Sequence, residues 1–129
     1  MITEIRSKNK LFALILDISD IGQGTWPVTH PDFSLQLLMM KRKKGHVVAK
    51  HMHKRIPKTT NQPQEAVVVI KRALEATISD RKGKTIAKKT VSAGQCLFMA
   101  DGGLEVKITK DALVYEFKNG PYVEDKIPL

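Results

Sequence analysis

Short apolar runs alternate with turn-forming clusters along the whole chain, and no stretch carries the spacing of an amphipathic helix. Residues 11–18, LFALILDI, read as a strand closed by the Ser19-Asp20 and Gly22-Gln23-Gly24 turn signals. Residues 34–40, SLQLLMM, have a periodicity that does not separate strand from helix, and their neighbours favour strand. From Val47 the alternation is clean: Val47, Ala49, His51 and His53 share one face, and Val48, Lys50 and Met52 share the other. Residues 54–63, with two prolines among Thr, Asn and Gln, predict a loop.

Residues 65–72 place Glu65, Val67 and Val69 on one face and Ala66, Val68 and Ile70 on the other. Both faces are apolar, so something must cover each side. A second sheet, the N-terminal segment or another subunit would do so, which makes a homodimer the expected state. Further strands are predicted at 74–79, 85–91, 95–100, 104–109 and 112–118, separated by turn signals at Asp80 to Gly83, Ser92 to Gly94 and Asp101 to Gly103. Leu74, Ala76 and Ile78 face inward, as do Leu104, Val106 and Ile108. In the last strand Leu113, Tyr115 and Phe117 share a face. The pattern predicts an all-β sandwich or barrel.

The length of 129 residues suits one domain able to bury a core without disulfides. The single cysteine, Cys96, lies in an apolar run, forms no intrachain disulfide and is read as core filling in a reducing compartment. The opening MITEIRSKNK lacks an apolar leader region, and no apolar run approaches the roughly 18 residues of a membrane span. A cytosolic location is expected, with no membrane partner.

The charge of +9, from 22 Lys and Arg against 13 Asp and Glu, favours an anionic partner. Aromatic residues make up only 5% of the chain, which disfavours single-strand nucleic-acid binding by base stacking. A phosphorylated or nucleotide-linked small molecule would use the same charge.

The chemistry concentrates between Gly45 and Glu65. In an extended strand, alternate side chains point the same way, so His51 and His53 can share one ion. Glu65 supplies a carboxylate on the inward face of the next strand. Gln64, its neighbour, and Tyr115 are candidate substrate contacts. His30 reads as a loop residue, and His46 lies on the face opposite the His51–His53 pair.

Gly45, five residues, His51-x-His53 and then Glu65 with six residues before Arg72 are similar to the first motif of the cupins. The run from Gly94 to Ala100-Asp101-Gly102-Gly103 resembles their second motif. Gln64-Glu65, Gly120-Pro121-Tyr122, and the approach through Pro31-Asp32-Phe33-Ser34 and Met40 are similar to small single-domain bacterial cupins, often linked to polysaccharide or sugar-nucleotide biosynthesis. This resemblance implies a double-stranded β-helix, or jelly-roll barrel, with extra N-terminal strands. Residues 1–129 would form one such domain with its core at about 34–118.

The resemblance further implies a lumenal divalent metal held by two histidines, a glutamate and a third histidine. The first three map to His51, His53 and Glu65; the fourth position is Leu104. Glu105 would turn inward only through a bulge after Gly102-Gly103. Arg72 and Ala100 stand where the motifs carry glycine and proline. Two histidines and a carboxylate suit iron(II), while zinc, nickel, manganese and copper stay open.

The expected function is binding or conversion of a small, anionic, carbohydrate-related ligand. The choice among isomerase, epimerase, lyase and dioxygenase is left open by the sequence. A non-catalytic small-molecule-binding or accessory protein that has lost full metal coordination is the alternative.

Overall fold

The computed structural model describes residues 2–129. Ten strands form among them: β1 (Ile2–Ser7), β2 (Lys10–Asp17), β3 (Gly24–Pro27), β4 (Leu38–Lys41), β5 (Glu65–Lys71), β6 (Ala73–Ser79), β7 (Thr85–Ser92), β8 (Gln95–Met99), β9 (Gly103–Ile108) and β10 (Leu113–Lys118). The chain is all-β, with one 3-10 turn at Ile18–Asp20. All strand pairs are antiparallel. No helix among the described residues is long and apolar enough to cross a membrane.

A five-stranded sheet in the order β1-β2-β8-β5-β10 faces a three-stranded sheet in the order β7-β6-β9, and β3 and β4 form a separate pair. The main core lies between the two larger sheets. Ala13, Ile15, Val67, Val69, Leu97 and Met99 come from one side, and Leu74, Ala76, Ile78 and Val91 from the other. The alternating burial of Leu74, Ala76 and Ile78 is the period-two pattern of a strand with one face inward.

A second core covers the outer face of the five-stranded sheet. Leu14, Leu16, Ala66 and Phe98 meet Met39 and the loop side chains Val28, Phe33, Leu35 and Leu37. Phe33 stacks on Phe98 with ring centroids 5.9 Å apart. Of the two apolar faces of β5, Val67 and Val69 enter the first core and Ala66 the second, while Val68 is half-buried and Ile70 is 46% exposed.

The layers do not close into a barrel. At one side β1 approaches β7, while β9 and β10 stand as sheet edges at the other. Two predicted strands differ from the structure. The strand expected at 34–40 is confined to Leu38–Lys41, because residues 33–37 are spent on the second core and on hydrogen bonds to the Thr29–Gln36 turn. The strand expected at 47–53 does not form; residues 41–61 are exposed throughout, and 46–61 carry no regular structure.

Arg72 links β5 to β6 with φ of +65°, a left-handed conformation that costs a side-chain-bearing residue about 1–2 kcal/mol. Its carbonyl accepts the Ala93 N–H at 2.9 Å, tying this corner to the β7–β8 turn. Arg72→Gly is expected to raise stability by about 0.5 kcal/mol, the relief being partly offset by the entropy of glycine in the unfolded chain. Arg72→Val, β-branched at the same φ, should lower it. Urea midpoints of the three proteins check the order.

Candidate functional site

Glu65 is the first residue of β5, and its register places it directly across from Lys118 of β10 and Met99 of β8. It lies on the same face as Val67 and Val69, so its half-buried carboxyl points to the interior between the sheets. Glu116, paired with Val67, reaches that face two residues before Lys118 and is the diagonal neighbour of Glu65.

Burial, followed by the hydrogen bond and charge of Glu116, pushes the Glu65 carboxyl up to about 7. Glu116 moves the other way, held below the usual range by its hydrogen bond to Glu65 and by the Lys118 and Lys126 charges. Burial and the neighbouring Glu116 thus favour the protonated form of Glu65, while the hydrogen bond from Glu65 and the Lys118 and Lys126 charges favour the ionised form of Glu116. A protonated carboxyl beside an ionised one offers both a donor and an acceptor to a hydroxylated ligand. Alternation with the apolar row Leu113, Tyr115 and Phe117 facing inward puts Glu116 on the outward face, so pattern alone does not find it; in the structure that row is exposed and Glu116 shares the face of Glu65.

His51 and His53 lie elsewhere. Both are exposed, with ring centroids 5.2 Å apart and nearly perpendicular, and the His51 Nδ1–H donates to the Ala49 carbonyl at 2.7 Å. The two rings approach each other as side chains two residues apart in extended backbone do. Among the described residues, no three His, Cys, Asp or Glu side chains are placed to hold a metal ion. The donor set is chemically suited to a divalent metal, but its placement within one chain does not fit one.

Leu104 pairs with Ile78 on the inner face and packs against the main core. The register from Gly103 to Ile108 is unbroken, so Glu105 pairs with Thr77 and stays on the outer face. No carboxylate replaces the missing histidine at the start of β9. Tyr115 pairs with Val68 on the outer face of the five-stranded sheet, 63% exposed and tilted against Phe117. Its hydroxyl points away from the interior.

Gln64 is buried, and its amide is committed. The side-chain oxygen accepts the Leu35 N–H at 3.1 Å, and the nitrogen donates to the Ala100 carbonyl at 3.2 Å. Its backbone N–H donates to Asn119 Oδ1 at 2.9 Å. These bonds fasten the 33–37 loop and the end of β10 to the corner after β8. An open cleft of about 410 Å³ adjoins it, lined in part by Lys10, Phe33, Ser34, Gln62, Gln64 and Asp101.

Asp101 anchors that corner. It is buried, ion-paired to Lys10 and, at 2.8 Å, to Arg81, and it accepts the Gly102 N–H at 2.7 Å. Burial alone would raise its pKa, but the hydrogen bonds from Lys10 and Gly102 and the Arg81 and Lys10 charges outweigh that and hold it below the usual value. Cys96 sits on the second core, where burial pushes its thiol up to about 11 and leaves it protonated and unreactive at neutral pH. His30 accepts the Asp32 N–H in its loop, and His46 is exposed.

Comparison of the chain with family models, with curated proteins and with solved structures finds no match.

Proposed function

We propose that this is a cupin-type protein that binds a small, sugar-derived anionic ligand at the Glu65–Glu116 pair on the β5–β10 side of the sandwich. The observation that carries the reading is that pair, set by the β5–β10 register on one face with the Lys118 and Lys126 charges acting on both carboxyls. Carboxyls of this kind exchange hydrogen bonds with sugar hydroxyls, and the two lysines supply positive charge for a phosphate or carboxylate group. Exposed Val106 and Ile108 on the inner face of β9 offer apolar surface for the C–H face of a ring.

The resemblance to cupins adds a divalent metal held by His51, His53 and Glu65. Within one chain these side chains do not meet, so no catalytic step is assigned to a metal.

A second reading, a non-catalytic binding or accessory protein, is favoured by Leu104, which fills the fourth ligand position with a side chain packed into the core. Amide NMR titration with UDP-glucose and, separately, inorganic phosphate tests the ligand reading. Shifts clustered at 65–67, 104–108 and 114–118 are expected with UDP-glucose. Shifts confined to the Lys41 to Lys44 run, or the same response to phosphate alone, would show surface charge at work and remove the reading. Metal content of the purified protein separates the two readings, because the accessory protein needs none.

A further inference from the structure

The net charge of the chain resides in one segment. Eight of the 22 Lys and Arg lie at 41–58, and no Asp or Glu occurs between Asp32 and Glu65. The other 14 cations stand against all 13 acids, so outside this stretch the net charge is only +1. Several of those 14 are also matched in space, with Lys10 and Arg81 paired to Asp101 and Lys88 to Glu75. Among the described residues no ion pair involves any of the eight, which are the run at 41–44, Lys50, Lys54, Arg55 and Lys58.

The fold holds this charge out in solvent between two anchors. The segment leaves β4 at Lys41, which pairs with Gly24 of β3, and Arg42 donates to Thr25 Oγ1 at 2.7 Å. It returns at Gln62, whose side-chain nitrogen donates to the Ala100 carbonyl and to Asp101 Oδ1, both at 3.3 Å. Every residue from 42 to 61 is exposed. The bond from His46 N–H to the Lys43 carbonyl, at 3.2 Å, is the one backbone–backbone bond within 42–61 among the described residues. Self-repulsion among the cations favours such an extended course.

Apolar side chains are interleaved with the cations. Val47, Val48, Met52 and Ile56 are 57–88% exposed. Leu38 and Met40, at the base of the segment, flank the buried Met39 and so face outward from β4, exposed as well.

A partner that fits the segment takes both kinds of side chain. Nucleic acid would answer the cations with its phosphates, but the four apolar side chains would stay in water, and residues 41–61 include no aromatic ring on which a base could stack. A small anion would meet only a few of the eight cations. The surface of an anionic bilayer offers a plane of negative headgroups and, just beneath it, an apolar boundary that short hydrophobic side chains reach. Lysine stems lie along that boundary while their ammonium groups stay among the headgroups. The unpaired backbone stays at headgroup level too, because deeper in the lipid its N–H and C=O groups would have no partners. A segment held in this way lies on the bilayer without crossing it.

We propose that residues 41–58 dock the protein reversibly on a membrane surface rich in anionic phospholipid. Their Lys and Arg side chains meet the headgroup phosphates, and Val47, Val48, Met52 and Ile56 enter the boundary beneath. The surface is separate from the Glu65–Glu116 pair and does not depend on the ligand reading given above.

Flotation of the full-length protein tests this, with vesicles of equal parts phosphatidylcholine and phosphatidylglycerol beside vesicles of phosphatidylcholine alone. Binding is expected to the mixed vesicles and not to the neutral ones. It should fall steeply from about 0.1 M to about 1 M salt, as the screening length shortens from about 10 Å to about 3 Å. Lys43→Gln with Lys44→Gln should weaken it about tenfold or more. Lys88→Gln with Lys89→Gln removes the same charge from β7 and should change it less than about twofold. Val47→Ser with Met52→Ser keeps every charge and should weaken it about fivefold or more. All the substituted side chains are exposed, so each variant should fold, and urea midpoints check that.

No binding to the mixed vesicles, or equal binding to the neutral ones, overturns the proposal. An equal loss from the Lys88 and Lys89 pair also overturns it, because the effect would then belong to the total charge of the protein. A short DNA duplex serves as the other polyanion. If the serine variant matches the parent on vesicles and both bind the duplex in a way that needs Lys43 and Lys44, the segment is a phosphate-binding surface for nucleic acid and the lipid assignment falls.

Discussion

Gly102→Ala is expected to lower the stability of the protein by about 3 kcal/mol or more. Two costs add. Gly102 has φ of +79°, where an alanine costs about 1–2 kcal/mol. A Cβ at this position would also run into the Ser79 carbonyl oxygen and the Phe12 ring. The first is backbone of β6 and the second a core side chain, so neither can give way cheaply, and overpacking of this kind costs about 1–3 kcal/mol. Gly94→Ala isolates the conformational cost, because Gly94 has φ of +86° and a methyl group added there would meet nothing within 4 Å. It should cost only about 1 kcal/mol. Urea midpoints for the two variants measure the difference directly, and equal values would show that the close approach at Gly102 does not matter.

Strands that bury one face and pair on both sides are legible in the sequence. β6 shows this best: Leu74, Ala76 and Ile78 alternate with half-buried positions, and the Asp80 to Gly83 turn closes it with hydrogen bonds from Lys82 and Lys84 to Asp80. β1 carries a weaker signal, since Ile5 is its one buried residue and its hairpin to β2 turns through Lys8 and Asn9 at positive φ instead of an Asn-Gly pair. The difficulty at 47–53 is of another kind. Alternation specifies which face a strand would present but not whether an edge is available to it.

The same distinction governs the site. The inward placement of Glu65 follows from parity with Val67 and Val69, and the outward placement of Glu105 follows from parity with Val106. Gln64 is legible as a neighbour of Glu65, but its role as a clamp depends on Leu35 and Ala100, which only the folded chain brings to it. The histidines are legible as a same-face pair, and their rings do approach each other. Their distance from Glu65 belongs to the arrangement of segments, which local pattern does not encode. The Asp101-Gly102-Gly103 stretch, similar to a cupin motif, is in the structure a corner that fixes β8 to β9.

That corner sets the second large effect. Asp101→Asn should cost about 2 kcal/mol at pH 7, since the variant keeps the shape of the side chain but loses charge-assisted bonds to Lys10, Arg81 and the Gly102 N–H. The figure is kept modest because Lys10 and Arg81 are each more than half exposed and solvent screens their charges. The carboxylate has a folded pKa below its ordinary value of 3.8. A depressed pKa contributes stability that is fully present above the unfolded value and is lost as pH falls through the folded one. The gap between parent and variant should therefore hold steady from pH 7 to about pH 5, then narrow below 3.8 as the parent's Asp101 takes up its proton. Urea unfolding of both proteins across that range reads the gap, and taking the difference cancels the carboxylates they share. A gap that stays constant into acid would mean that Asp101 acts through its shape and neutral hydrogen bonds, with its charge contributing little.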